Sequence, residues 1–276
     1  MIEVRSITPA VKWAGGKRQL LDRIIERMPD SYNNYFEPFI GGGAVLFGIQ
    51  PERATINDIN EELINLYRTI KDYPAEFLQQ MAELDLVECD KDFYYKQRER
   101  YNEKLVKREL DIELAVLFVW INKHCFNGLY RVNNKGLFNV PYNNKGKAKS
   151  VSDDNILAMA DYLKTVSILQ GDFEDAVAEA EAGDFIFFDS PYAPINANSF
   201  EDYTKEGFTE EEHRRLGKLF RALADKGCYC MLTNHDVPLI RELYSDYNIE
   251  VVDVKRLINR NADSRTGTEV IITSYK

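Results

Sequence analysis

Apolar and polar positions along this chain repeat at two periods, and the alternation between them predicts an α/β protein. From Gly16 to Met28, Leu20, Leu21, Ile24, Ile25 and Met28 recur at helical spacing. Tyr35 to Phe39 predicts a short strand running into Gly41-Gly42-Gly43, with a helix starting over Ala44 to Ile49. Arg53 to Ile56 predicts a second strand, ended by Asn57-Asp58, and Asn60 to Lys71 a helix. A stretch of helical periodicity then runs from Pro74 to about Lys123. Turn residues follow, and the span from Leu129 to Tyr142 predicts a β-hairpin turning near Asn133 to Gly136. From Ser152 the alternation resumes. Helices are predicted at Asp154–Leu163, Glu210–Lys226 and Val237–Tyr244, and strands at Val166–Leu169, Asp184–Phe188, Cys228–Leu232, Ile249–Val254 and Val270–Tyr275. This is the pattern of a doubly wound, mostly parallel sheet interrupted by a helical, hairpin-bearing piece. The expected division is 1–65 with 151–276 as one domain and 66–150 as an insertion.

One strand ends unlike the others. The apolar run Phe185-Ile186-Phe187-Phe188 stops at Asp189-Ser190-Pro191-Tyr192. Such runs are buried strands of parallel sheets, and in open α/β sheets the site lies beyond their carboxyl ends. Pro191 has no N–H and a fixed φ, so the strand cannot continue through it. A carboxylate, a backbone carbonyl and an aromatic face are left close together. They suit a planar base with an exocyclic amine, whose two N–H hydrogens need acceptors and whose ring needs a stacking partner. Taken alone, the same four residues would also serve as an ordinary polar turn.

Composition changes this picture in one respect. A net charge of −10 argues against a nucleic-acid partner for the chain as a whole. Its distribution argues the other way. Between Asn122 and Ser150 there is no Asp or Glu, but there are Lys123, Arg131, Lys135, Lys145, Lys147 and Lys149. Lys96, Arg98, Arg100, Lys104, Lys107 and Arg108 crowd the predicted helix before it. A basic insertion in an acidic body marks a nucleic-acid surface or a solvated lysine-rich loop. The four cysteines and three histidines form no ligand pattern, so no metal is expected. With no signal-peptide pattern and no bilayer-spanning run, a cytoplasmic protein is expected and no membrane partner.

Five ordered segments together carry a resemblance. They are Lys12-Trp13-Ala14-Gly15-Gly16-Lys17, Glu37-Pro38-Phe39-Ile40-Gly41-Gly42-Gly43, the stretch from Asn122 to Tyr142 with Cys125-Phe126-Asn127-Gly128-Leu129-Tyr130-Arg131, Gly171-Asp172-Phe173, and Asp189 to Tyr192. In this order they resemble the Dam-type DNA adenine-N6 methyltransferases, which use S-adenosylmethionine. The segment from Arg256 to Tyr275 resembles the family's closing part, so the resemblance covers nearly the whole chain. It implies a Rossmann-like methyltransferase fold with an inserted target-recognition domain, double-stranded DNA as partner, base flipping, a place among restriction-modification or related DNA-methylation enzymes, and a monomer.

The cofactor would be met in several places. Phe39-x-Gly41-x-Gly43 lets the backbone approach a ligand closely, but it lacks the third glycine of a dinucleotide loop. Asp58 can accept from both ribose hydroxyls, or serve as a turn residue. Asp172, before Phe173, can accept from the cofactor's adenine amine, or cap the next helix. Lys17 offers a cation for the methionine carboxylate, and the resemblance places Trp13 there too. The resemblance makes Asp189, Ser190, Pro191 and Tyr192 the catalytic set, with Asp189 also bordering the cofactor. The family usually has Asp-Pro-Pro-Tyr, and Ser190 replaces its first proline.

For DNA, the basic insertion would follow phosphates, while Arg131 could pair with guanine O6 and N7. Leu129, Arg131, Asn133 and Pro141 match the hairpin of family members that recognise GATC, with Lys123, Asn127 and Tyr142 as neighbours. Rival expectations are an RNA-adenine or protein-glutamine methyltransferase, a homologue that binds cofactor and DNA without transferring the methyl, and a nicotinamide oxidoreductase. The glycine spacing disfavours the last.

Overall fold

A computed structural model describes residues 6–13, 15–146, 149–195, 208–255 and 266–276. Lys147 and the first part of the closing segment, 256–265, lie outside the described residues. Among the described residues, seven strands are β1 (Tyr35–Glu37), β2 (Ala54–Ile56), β3 (Val166–Ile168), β4 (Phe185–Phe188), β5 (Tyr229–His235), β6 (Asn248–Lys255) and β7 (Thr266–Thr273). They form one mostly parallel sheet of order β3-β2-β1-β4-β5-β7-β6. β1 pairs in parallel with β2 and β4, and β4 with β5. β7 lies antiparallel between β5 and β6. The sheet departs from parallel only there among the described strands. β6 and β7 follow each other in sequence and pair directly, which needs no helical crossover, whereas a parallel pair would.

The helices are α1 (Leu21–Ile25), α2 (Ala44–Ile49), α3 (Glu61–Asp72), α4 (Pro74–Asp85), α5 (Lys91–Lys107), α6 (Ile112–His124), α7 (Asp153–Leu163), α8 (Phe173–Ala176), α9 (Glu210–Lys226) and α10 (Pro238–Leu243). The helix predicted over Gly16 to Met28 is shorter, with a 3-10 turn at Lys17–Gln19 before α1. The long periodic stretch after Pro74 is three helices. Asp90 and Asp111 cap the starts of α5 and α6 by accepting from the N–H of Phe93 and Leu114. Arg108, at φ +55°, ends α5 in the left-handed region.

By its contacts the chain divides into two compact units. The first comprises Met1–Gly16, Gly41–Gln50 and Asn57–Gly171. The second comprises Lys17–Ile40, Pro51–Ile56 and Asp172–Lys276. In the first unit α6 is apolar nearly all round, with Leu114 to Asn122 buried without a break. A helix of that kind must be covered on several sides, and α3, α4 and α5 pack against it. In the second unit, all four residues of β4 are buried. Ile186 and Phe188 share a core with Leu216 and Phe220 of α9, Cys230 and Leu232 of β5, and Val270 and Ile272 of β7. That core fixes where β4 ends.

Candidate active site

Within the second unit, the end of β4 carries a linked set of polar groups. Lys17 Nζ lies 2.6 Å from Asp189 Oδ1, with the lysine side chain 4% exposed and the aspartate 19%. Thr233, near the end of β5, donates to the same Oδ1 at 3.0 Å. Burial pushes the Asp189 carboxyl above the usual carboxylate range; the Lys17 ammonium and the Thr233 hydroxyl pull it back, and the Glu269 charge pushes it up. Lys17 Nζ also lies 4.5 Å from the centroid of the Tyr192 ring. The structure therefore gathers Lys17, Asp189 and Tyr192, and gives the Lys17 ammonium a carboxylate partner within the protein itself.

The residues after Asp189 are tied to the end of β5. Ser190 is buried, and its hydroxyl oxygen lies 3.5 Å from Asn234 Nδ2. Pro191 is exposed. The backbone N–H of Ala193 donates to Asn234 Oδ1 at 2.8 Å, and the Ala193 carbonyl meets His235 Nδ1 at 2.8 Å. The Tyr192 hydroxyl donates to Glu269 Oε2 at 2.7 Å, and the His235 ring stands edge-on to Tyr192 at 4.8 Å between centroids. Burial and the charges of Asp189 and Glu269 hold that hydroxyl in its protonated, donating form.

A second cluster of this unit contains Asp172, Phe173 and Phe39. Asp172 caps α8 by accepting from the N–H of Glu174 at 2.9 Å, and it pairs with Arg215 of α9. The Arg215 guanidinium lies 4.2 Å from the Phe173 ring centroid. Phe39 packs on Phe173 at 5.3 Å and stands edge-on to Phe208 at 5.8 Å. Aromatic faces beside a carboxylate match the chemistry of a purine with an exocyclic amine.

In the first unit, Asp58 and Trp13 border the glycine loop. Asp58 Oδ2 accepts from the N–H of Gly41 and Oδ1 from that of Asn60, both at 3.0 Å. Burial pushes the Asp58 carboxyl up, and the amides of Asn60, Gly41 and Ile59 oppose it. Each oxygen keeps a lone pair for a further donor, so the carboxylate remains fit for a diol. Gly41 has φ +48°, and a Cβ there would lie 2.8 Å from Trp13 Cδ1. Gly43 has φ +73°, and a Cβ would lie 2.6 Å from a Phe47 ring carbon. The glycines are thus required by backbone conformation and by close packing. Trp13 also stacks on Tyr130 at 5.2 Å. Asn122, buried in α6, accepts from the N–H of Lys12 and donates to the carbonyls of Lys12 and Gly128.

The expected hairpin is an irregular one. Only isolated bridges form, Val132 with Phe138 and Cys125 with Tyr142. Asn133 Oδ1 accepts from the N–H groups of Lys135 and Leu137, which closes the turn. Arg131, exposed, donates through Nε to Asn139 Oδ1 at 2.8 Å. Asn102 of α5 pairs with both backbone groups of Phe138, and Tyr94 donates to the Val140 carbonyl at 2.9 Å. Asn127 has φ +58° and Pro141 is exposed, while Leu129 and Lys123 are partly buried.

Not every basic residue of α5 is open to a phosphate. Lys104 is buried and paired with Glu109, Asp111 and Glu113, and Arg100 pairs with Glu113. Those two cations are engaged by the acidic turn that follows them. Among the described residues, no helix is long and apolar enough to cross a membrane, and no group of His, Cys, Asp or Glu is arranged to hold a metal ion.

Thr233, Asn234, Glu269, Arg215, Asn139 and Asn122 were not singled out from the sequence. Three of them had a visible signal. Glu269 heads the apolar run Val270-Ile271-Ile272, and Thr233-Asn234 ends Met231-Leu232, so each places polarity at a strand end.

Known proteins are similar to this chain in sequence. Residues 13–258 match the model of the D12 class N6 adenine-specific DNA methyltransferases. The chain is 42% identical to the type II methyltransferase M1.LlaDCHI of Lactococcus lactis subsp. cremoris, over 98% of this chain and 96% of that one. It is 38% identical to the type II methyltransferase M.MjaIII of Methanocaldococcus jannaschii, over 98% and 99%. It is 32% identical to the DNA adenine methylase of Escherichia coli K12, over 96% and 94%. The chain belongs to the D12 class N6 adenine-specific DNA methyltransferase family.

Proposed function

We propose that this enzyme transfers the methyl group of S-adenosylmethionine to N6 of an adenine flipped out of duplex DNA, within GATC. The carrying observation is the partly buried Asp189 beside Tyr192 at the end of β4, with Lys17 and Thr233 on the carboxylate. The adenine amine is a poor nucleophile because its lone pair is delocalised into the ring. Asp189 and the Ser190 carbonyl accept its two hydrogens and draw the nitrogen toward a tetrahedral geometry, which frees the lone pair. Pro191 ends the strand so that this carbonyl is available. Tyr192 stacks on the flipped base. Bound S-adenosylmethionine supplies an electrophilic methyl on a sulfonium. The protein's contribution is then positioning and fixed charge, and the product nitrogen sheds its proton without a strong base.

Residues of each unit suit the cofactor. In the second, Asp172 accepts from its adenine amine and Phe39 and Phe173 offer aromatic faces. In the first, Asp58 accepts from its ribose hydroxyls, the amides of Gly41 and Gly43 approach it, and Trp13 contacts its methionine part. Lys17 is assigned two partners, the cofactor carboxylate and Asp189, because its ammonium has three donors. Region 66–150 acts as the target-recognition piece. Arg131 reads guanine, Leu129, Asn133 and Pro141 line the base edges, and Lys123 and Asn127 flank them. The exposed Arg131 on a braced turn favours duplex DNA over RNA or a protein glutamine. The paired and braced Asp189 favours an active enzyme over a binding homologue. Two similar proteins are named type II methyltransferases, which supports a role in restriction-modification. A cytoplasmic monomer completes the proposal.

Labelled methyl transfer to a duplex with one GATC site tests it, beside the same duplex already N6-methylated on both strands. Label is expected in the first alone. Equal label in both would remove the target adenine from the account.

A further inference from the structure

Tyr192 is the side chain on which the proposed chemistry depends for holding a base, and β7 contributes the Glu269 carboxylate to it. We infer that Glu269 is a positioning residue for methyl transfer, fixing the ring of Tyr192 as the platform for the flipped adenine. This rests on the proposed stacking role of Tyr192.

Four observations carry it. The Tyr192 hydroxyl donates to Glu269 Oε2 at 2.7 Å. Glu269 lies on β7 directly opposite His235 of β5, and the His235 ring stands edge-on to Tyr192 at an interplanar angle of 76°. Two neighbouring strand positions thus hold two sides of one ring. The backbone following Tyr192 is secured at both the N–H and the carbonyl of Ala193, by Asn234 and His235. Finally, Lys17 Nζ lies 4.5 Å from the ring centroid and 2.6 Å from Asp189, so the same cation touches both the platform and the proposed acceptor.

A tyrosine ring on a loop turns about two side-chain bonds. Stacking on it therefore carries the entropic cost of stopping that motion, unless the ring is already held. A hydrogen bond from the hydroxyl to a charged acceptor is among the stronger single restraints available. It acts at the far end of the ring, where leverage over orientation is greatest. Glu269 does this without touching the reacting atoms. Its loss is expected to lower kcat and the fraction of extruded base, with little change in cofactor affinity.

The test is a cycle of Glu269→Ala, Tyr192→Phe and the double variant. It is read as kcat and KM for methyl transfer, and as the fluorescence of a duplex with 2-aminopurine at the target adenine. Glu269→Ala is expected to reduce kcat by about tenfold in the otherwise unaltered enzyme and by less than about twofold beside Tyr192→Phe. Glu269→Gln, which keeps an acceptor oxygen, is expected to recover most of the loss. Equal losses in both backgrounds would overturn the inference, because Glu269 would then act independently of the hydroxyl. So would a Glu269→Gln variant as impaired as Glu269→Ala. Tyr192→Ala separates the two levels. Unchanged kcat and fluorescence in that variant would sink the stacking role itself, whereas impairment there with an additive cycle would sink the assignment of Glu269 alone.

Discussion

Lys17 and Asp189 form an ion pair at 2.6 Å, the lysine buried and the aspartate partly so, with the lysine ammonium also lying against the Tyr192 ring. A buried carboxylate would hold its proton more tightly than usual, and a protonated Asp189 loses an acceptor for the adenine amine. Lys17 opposes that upward push by favouring the charged form.

Removing the cation leaves burial and the Glu269 charge unopposed except by Thr233, so the Asp189 carboxyl rises further. Lys17→Met is therefore expected to move the acid limb of the kcat profile to higher pH, because the ionised form is the active one. A pH profile from 5 to 9 checks this. A limb that stays in place, or moves to lower pH, would assign Lys17 to the cofactor alone.

Ser190 stands where the family usually has proline. Its hydroxyl contact with Asn234, at 3.5 Å, is a weaker constraint than a ring that fixes the backbone. Ser190→Pro is expected to raise the rate of methyl transfer. An unchanged or lower rate would mean that the buried serine, anchored by Asn234, already holds its carbonyl as well as the proline does.

Asn139 takes Nε of Arg131 and leaves the two terminal amino groups for a guanine edge. Arg131→Ala is expected to cost about 1–3 kcal/mol of discrimination at the guanine position, and Asn139→Ala a smaller part in the same direction. Relative kcat/KM on GATC and AATC duplexes measures it. A uniform loss on both duplexes would make Arg131 a phosphate contact.

His213 of α9 is 1% exposed, and burial pushes its pKa down from 6.5 to about 4. The unfolded chain takes up this proton near 6.5 and the folded chain does not until about 4, so stability falls as pH drops through that window. The loss between pH 7 and 4.5 is about 2–3 kcal/mol from this group. Urea denaturation at the two pH values, compared between the unaltered protein and His213→Leu, isolates it. An equal acid loss in both would remove His213 from the ledger.

The end of β4 was legible in the sequence because a short run of four large apolar residues, ended sharply by Pro191, suits a buried strand. The glycine loop was legible for a similar reason, since Gly41 and Gly43 adopt positive φ. The partners of these residues were not legible. Lys17, Thr233 and Glu269 reach Asp189 and Tyr192 from other parts of the chain, and periodicity carries no information about such meetings. Strand direction was also hidden, since the antiparallel β7 has the same apolar pattern as a parallel strand. The charge count on α5 misled, because Lys104 is buried among the carboxylates of the next turn and helix, and Arg100, though exposed, is paired with Glu113.

Incubating the protein with S-adenosylmethionine and unmethylated plasmid, then mapping N6-methyladenine by sequence context with Asp189→Ala in parallel, tests the proposed reaction most directly. Methylation is expected at GATC, reduced by about a hundredfold or more in the variant. Methylation that survives Asp189→Ala, or that falls outside GATC, would contradict it.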